Sequence, residues 1–189
     1  EEDLYALLHV CGAQIVGRSA STTLDLHHRL PMRERRLRYV RAAKRKGMQV
    51  VPSADFAAYW RILCAVLADK YEAEPVHTLQ ELEMLHRRFP DNIHLLLTVL
   101  DDKTLSGAVL FVTDTCAHAQ YLCSSSEGDA HHANELMVDY ILEHYSQLRY
   151  FDFGTSADEG PLGLNESLIH SKGGYGCRAI MYDTYHVRV

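Results

Sequence analysis

The chain has 189 residues, 47% of them hydrophobic and 23% charged, which excludes disorder and low complexity and leaves room for one full domain plus part of another. Its longest apolar run, residues 95–100, falls far short of the ~20 residues a membrane-spanning helix needs, and no basic, then apolar leader opens it. The net charge of −6 conceals a basic block of +7 at residues 33–46.

In chain order, Leu4–Val10 reads as a first short strand, Gln14–Gly17 as a second and Thr22–His27 as a third. Pro31 then precedes a basic helix that Gly47 ends, and Met48–Val51 is a short strand broken by Pro52-Ser53. From Ser53 the pattern lengthens. Phe56, Tyr59, Trp60, Leu63 and Leu67 mark an amphipathic helix, and Thr78-Leu79-Gln80-Glu81 is a capping box opening another that runs to about Arg88. Strands His94–Leu100, Leu105–Thr113 and Cys116–Ser124 follow as an antiparallel meander, because their connections are of hairpin length. Ala133, Leu136, Met137, Tyr140, Ile141, Tyr145 and Leu148 trace the apolar stripe of one long helix. A short strand, Tyr150 to Phe153, leads through a polar loop to a helix over 162–172 and a closing strand over 176–187.

The block at 33–46 holds eight basic residues (Arg33, Arg35, Arg36, Arg38, Arg41, Lys44, Arg45, Lys46) against Glu34. Eleven basic and twenty-four acidic groups remain elsewhere, a net of −13. Such a block either contacts tRNA, a nucleotide or an anionic substrate, or is a solvated helix face, since Leu37 and Val40 keep helical spacing. Five widely spaced cysteines without a C-x-x-C argue against a disulfide scaffold and a thiolate zinc site. Reduced, mostly buried thiols in a cytoplasmic protein are expected. No metal is expected either: His131, His132, Glu135 and Asp139 share helical spacing but form no H-E-x-x-H set.

The element order from residue 53 onward carries specific words of sequence. These are Pro75-Val76-His77-Thr78-Leu79, Arg88-Phe89-Pro90, Ala117-His118-Ala119-Gln120-Tyr121, Tyr150-Phe151-Asp152-Phe153-Gly154, Leu164-Asn165-Glu166 and Lys172-Gly173-Gly174-Tyr175-Gly176. Together they resemble the GNAT N-acyltransferase superfamily and, within it, the FemAB-like branch, which includes peptidoglycan-bridge aminoacyltransferases. The resemblance implies an α/β fold with a mixed, mostly antiparallel sheet whose central strands splay apart. It covers residues 53–189. FemAB-like proteins carry two tandem lobes, so residues 1–52 are expected to be the tail of a preceding lobe.

By that resemblance, the pantetheine arm of an acyl-CoA pairs with the backbone of Tyr121, Leu122 and Cys123, inside the V between the third meander strand and the strand at 150–153. Its pyrophosphate sits at Ser125, Ser126 and Gly128, on the free amides of the next helix. The loop departs from the usual Gln/Arg-x-x-Gly-x-Gly/Ala pattern through a single glycine and two acids, Glu127 and Asp129; its serines equally suit an ordinary helix cap. Asn165 contacts the pantetheine arm or satisfies a loop carbonyl.

Acyl transfer from a thioester to an amine needs a base, oxyanion donors and a proton source for the thiolate. Asp152 is the candidate base, with a structural acid as its alternative reading, and Glu159 in the following loop competes with it. Lys172 stands where many superfamily members place a Tyr acid. It donates a proton, holds an anionic substrate or complements the helix dipole, and Tyr175 is the nearest aromatic. His118 and Ser156 are candidate substrate contacts, His118 sharing a face with Cys116, Gln120 and Leu122 or else serving as a hydrogen-bonded partner within the sheet. The expected activity is transfer of an acyl group, acetyl first, from acyl-CoA to an amine of a small metabolite or envelope-polysaccharide precursor. An aminoacyl-tRNA-dependent transferase and a catalytically degenerate binding module are the alternatives.

Overall fold

The computed structural model describes residues 2–156 and 163–188. Among the described residues seven strands form one sheet: β1 (Gln14–Asp25), β2 (Gln49–Ser53), β3 (Ile93–Leu100), β4 (Lys103–Val112), β5 (Cys116–Ser124), β6 (Tyr150–Thr155) and β7 (Arg178–His186). Their order is β2-β3-β4-β5-β6-β1-β7, and every neighbouring pair is antiparallel except β5 and β6. The helices are α1 (Glu2–Tyr5), α2 (Glu34–Arg45), α3 (Phe56–Tyr71), α4 (Leu79–Arg88), α5 (Ser126–His131), α6 (Ala133–His144) and α7 (Glu166–Gly173).

The expected mixed, mostly antiparallel sheet is present, and the sheet is continuous across the boundary expected at residue 52. β1 lies between β6 and β7, and β2 forms the far edge beside β3. Four local readings change. Residues 4–10 are helical, the end of α1 and a π turn over Ala6–Val10, rather than a strand. Gln14–Asp25 is one strand rather than two. Pro52 stays within β2, tolerated because an edge strand needs no second set of N–H donors. His132, at φ 66°, breaks the single long helix into α5 and α6.

Both faces of the sheet are covered. On one, Met137, Val138, Ile141 and Leu142 of α6 pack over Leu96, Leu110, Ala117 and Phe151. On the other, Phe56, Tyr59 and Leu63 of α3 and Leu82 of α4 cover Leu95, Leu97 and Val109. α4 opens on the expected capping box: Thr78 accepts from the Glu81 amide while Glu81 accepts from that of Thr78. The basic α2 docks on α6 through opposite charges, Arg36 to buried Glu135 and Lys44 to Asp139 at 2.7 Å.

Candidate active site

The ladder between β5 and β6 has only three register pairs, ending at His118 opposite Asp152. Beyond that pair β6 stays with β1, whose Ser21 faces Thr155, while β5 stays with β4 up to Ser124. The two strands therefore diverge. Among the described residues, one backbone edge of β5 from Ala119 to Ser124 has no strand neighbour. The V between them is a cavity of about 420 Å³, walled by Gln120, Tyr121 and Cys123 of β5, Leu67 and Lys70 of α3, and Phe153 of β6, with Lys172 also in its lining.

Two irregularities shape it. The β4–β5 register shifts between Val109 and Leu110, whose partners are Tyr121 and Ala119, so Gln120 bulges. The bulge turns Tyr121 and Cys123 toward the α3 side and Leu122 toward α6. His118 and Leu122 thus lie on opposite faces, and the single alternating face expected for them is not formed. The second irregularity falls on β6, where Gly154 takes φ 73°. A Cβ on Gly154 would stand 3.3 Å from His118 Cε1, so the glycine also makes room for the imidazole.

At the apex Asp152 accepts three hydrogen bonds: Ser21 Oγ at 2.5 Å, His118 Nδ1 at 2.8 Å and Thr23 Oγ1 at 2.9 Å. Burial pushes its acidity toward the neutral form, but the bonds from His118, Ser21 and Thr23 together outweigh it and hold the carboxyl at about 2. A carboxylate so fully donated to is a weak base and a firm anchor. The imidazole of His118, a third exposed, is pinned through Nδ1 and left with Nε2 for other work.

Lys172 reaches from the end of α7 to the turn after β6. Its Nζ donates to Ser156 Oγ at 2.8 Å, Thr155 O at 3.0 Å and Gly154 O at 3.2 Å. Burial lowers the pKa of this ammonium. Ser156 is fully buried, its hydroxyl shared with Thr22 Oγ1 at 2.8 Å, so it braces the turn beneath the cleft.

The remaining candidates are dispersed. Tyr175 is buried, its ring stacked on Phe153 at 5.5 Å and under the Arg36 guanidinium at 4.5 Å, and burial pushes its phenol up, away from proton donation. Asn165 caps α7, accepting from Leu168 N at 3.0 Å. Tyr121 receives the His77 amide at 3.1 Å, tying β5 to the turn before α4, and Cys123 bonds the Tyr59 hydroxyl at 3.4 Å, its thiol pushed by burial to about 11. Glu159 lies outside the described residues. Cys11 is exposed, and all five cysteines are free thiols.

At the start of α5, Ser125 Oγ accepts the Gly128 amide at 3.1 Å while donating to Leu105 O at 3.0 Å. The serine cap is therefore the observed state. Ser126 opens the helix behind it. The two acids are balanced, Glu127 by Lys103 and Asp129 by Lys70 at 3.1 Å. A Cβ on Gly128 would come within 2.4 Å of the Leu105 carbonyl oxygen, so helix and strand backbones touch here. Gly128→Ala should lower stability by about 1–3 kcal/mol, read from urea denaturation midpoints at unchanged slope.

The histidine-rich stretch holds no metal-binding group: among the described residues no three His, Cys, Asp or Glu side chains converge. His131 approaches Lys46 Nζ at 2.5 Å, His132 stacks on Tyr39, and Glu135 and Asp139 pair with α2. No helix among the described residues is long and apolar enough to cross a membrane.

A splayed parallel strand pair with a helix N-terminus at its end is the arrangement that the resemblance to the GNAT superfamily implies. The acetyltransferase (GNAT) domain family matches residues 32–160, more than half of the chain, and the chain belongs to that family of acyltransferases. FemX superposes with a TM-score of 0.75 at 13% identity, over 96% of this chain and 68% of FemX. The C-terminal domain of a proposed lysylphosphatidylglycerol synthetase from Agrobacterium fabrum gives 0.65 at 12%, over 95% and 63%. L-PGS from Bacillus licheniformis gives 0.64 at 12%, over 98% and 64%. These are likenesses of fold, and the chain spans about two thirds of each. Among the curated proteins no sequence matches this chain.

The sequence reading missed Ser21 and Thr23, which lie some 130 positions from the carboxylate they bind. Hydroxyls in a strand are ordinary, and only the sheet order makes them neighbours.

Proposed function

We propose that the chain is an N-acyltransferase that moves an acyl group, acetyl in the first instance, from an acyl-CoA thioester to an amine at the apex of the V. The acceptor is an amine of a small metabolite or of a cell-envelope polysaccharide precursor. The observation that carries the proposal is the free edge of β5, which runs from Ser124 to the His118–Asp152 pair. A pantetheine arm is an extended chain with two amides, and it binds such an edge as an added strand would. This delivers the thioester to His118.

In this reading His118 Nε2 is the general base and Asp152 a positioning residue that fixes the tautomer and steadies the imidazolium. The amine nitrogen attacks the thioester carbonyl carbon, and its proton passes to His118. The tetrahedral intermediate collapses with cleavage of the carbon–sulfur bond, and the departing thiolate recovers the proton from the imidazolium. Lys172, its three donors already engaged, acts through its field, favouring the negative charge that builds on the carbonyl oxygen.

A second reading keeps the cleft and replaces the donor by an aminoacyl-tRNA. It is favoured by the start of α5, where the Ser125 cap takes the Gly128 amide and two acids stand where a pyrophosphate would lie. The ion pairs that occupy α2 weigh against a broad nucleic-acid face. Calorimetric titration with CoA, acetyl-CoA and tRNA separates the two. Saturable acetyl-CoA binding is the expected result. The absence of heat at millimolar CoA, with salt-dependent tRNA binding, would move the donor to the second reading.

A further inference from the structure

A second cavity, of about 340 Å³, lies between the first turn of α2 and the side of α7. It is lined by Arg33, Arg35, Arg36, Ser167, His170 and Ser171, and shares no lining residue with the V. We propose that it is a binding site for a phosphate ester; the site does not depend on the acyl-transfer reading, and only the identity of the phosphate's source rests on it.

The cations of α2 are only partly paired. Past the first turn Lys44 holds Asp139 and Arg41 holds Glu34 at 3.0 Å, while Lys46 meets only the His131 imidazole and Arg38 and Arg45 have no carboxylate partner among the described residues. What sets the cavity apart is that its unpaired cations converge on one concave space. Arg36 is spent on Glu135, but Arg33 and Arg35 have no carboxylate partner among the described residues. Two uncompensated guanidiniums therefore border one concave site, in a chain whose net charge is −6.

The cavity is also organised before any ligand arrives. Arg36 Nη2 donates to Ser171 Oγ at 2.8 Å and Ser171 O at 3.2 Å, and its guanidinium lies on the Tyr175 ring. The Arg33 side chain meets His170 Nε2 at 3.1 Å, and its amide donates to Gly174 O at 2.9 Å. α2 carries no side-chain cap at Arg33, so its positive end adds to the field of the arginines. Planar guanidinium forks match phosphate oxygens in pairs, and the Ser171 hydroxyl, which accepts from Arg36, has its own hydrogen left to donate. A cavity at the small end of ligand pockets suits a phosphate ester of a small molecule better than a nucleic-acid duplex.

Ser171 lines this cavity while the next residue, Lys172, lines the V, and Arg36 is linked to Phe153 of the V through Tyr175. Two sources would bring a phosphate here: the 3′-phosphate of CoA, or the diphosphate of a nucleotide-linked acceptor.

The test is calorimetric titration with inorganic phosphate against the intact chain, the double variant Arg33→Gln/Arg35→Gln, and Arg38→Gln/Arg45→Gln, which removes the same charge from α2 outside the cavity. Circular dichroism verifies that each is folded. The expected result is a loss of at least ten-fold in phosphate affinity for the cavity variant and less than two-fold for the other. No phosphate binding, or equal losses in both variants, would overturn the site. An RNA oligonucleotide weakened equally by both would assign α2 to general nucleic-acid attraction instead and would overturn it too. With the site established, a loss seen with CoA but not dephospho-CoA identifies the donor's phosphate, and one seen with nucleoside diphosphates but not with CoA identifies the acceptor's.

Discussion

Replacing His118 with Gln should lower kcat by roughly a hundred- to ten-thousand-fold, the range that a positioned general base contributes. Glutamine keeps a donor for Asp152 but has no group that takes up a proton. KM for the acyl donor should stay within about three-fold, because the pantetheine arm is held by the backbone of β5 rather than by this ring. The melting temperature should change little, since the imidazole is a third exposed. A variant with unchanged kcat in steady-state assays would remove His118 from the chemistry. A parallel loss of kcat and thermal stability would assign it to the structure instead.

Asp152→Asn is the second large effect, and it has a sign in pH. The folded carboxyl titrates at about 2, below the ordinary 3.8, so its ionised form stabilises the fold. That contribution, on the order of 2 kcal/mol, is fully present above about pH 4 and is lost as the pH falls through about 2. The amide offers one acceptor oxygen where Ser21, Thr23 and His118 now share a carboxylate. The variant should therefore be less stable than the natural chain by about 2 kcal/mol at pH 7 in urea denaturation, with the gap narrowing below pH 4. In assays the same variant should lower kcat more than it raises KM, as expected of a residue that orients the base. A gap independent of pH would mean that the carboxylate's charge contributes nothing.

How far the sequence discloses this site depends on the range of the interaction. The Thr78 capping box, the hairpin-length links of the meander and the apolar stripe of α3 are local, and each formed as expected. The break at His132 has no Gly or Pro to announce it, and the bulge at Gln120 leaves the alternation of apolar residues intact on both sides. The strand expected at 4–10 failed because a short apolar run fits either period, and this one folds as a helical turn. Asp152 and His118 were both legible as chemistry-bearing residues, yet their contact was not. It depends on a parallel register between strands that two helices separate.

The basic block is a similar case. Composition reveals its charge, but only the packing of α2 on α6 shows which cations are neutralised and which face a cavity.

The most direct test of the account is a crystal structure of the chain with a non-transferable thioether analogue of acetyl-CoA. The pantetheine amides should lie on the backbone of Tyr121 to Cys123, and the carbon that replaces the thioester carbonyl within about 6 Å of His118 Nε2, which leaves room for an amine nitrogen about 3–3.5 Å from that carbon and in hydrogen-bond reach of the ring. An analogue bound elsewhere, or one whose reactive end lies away from the His118–Asp152 pair, would contradict it.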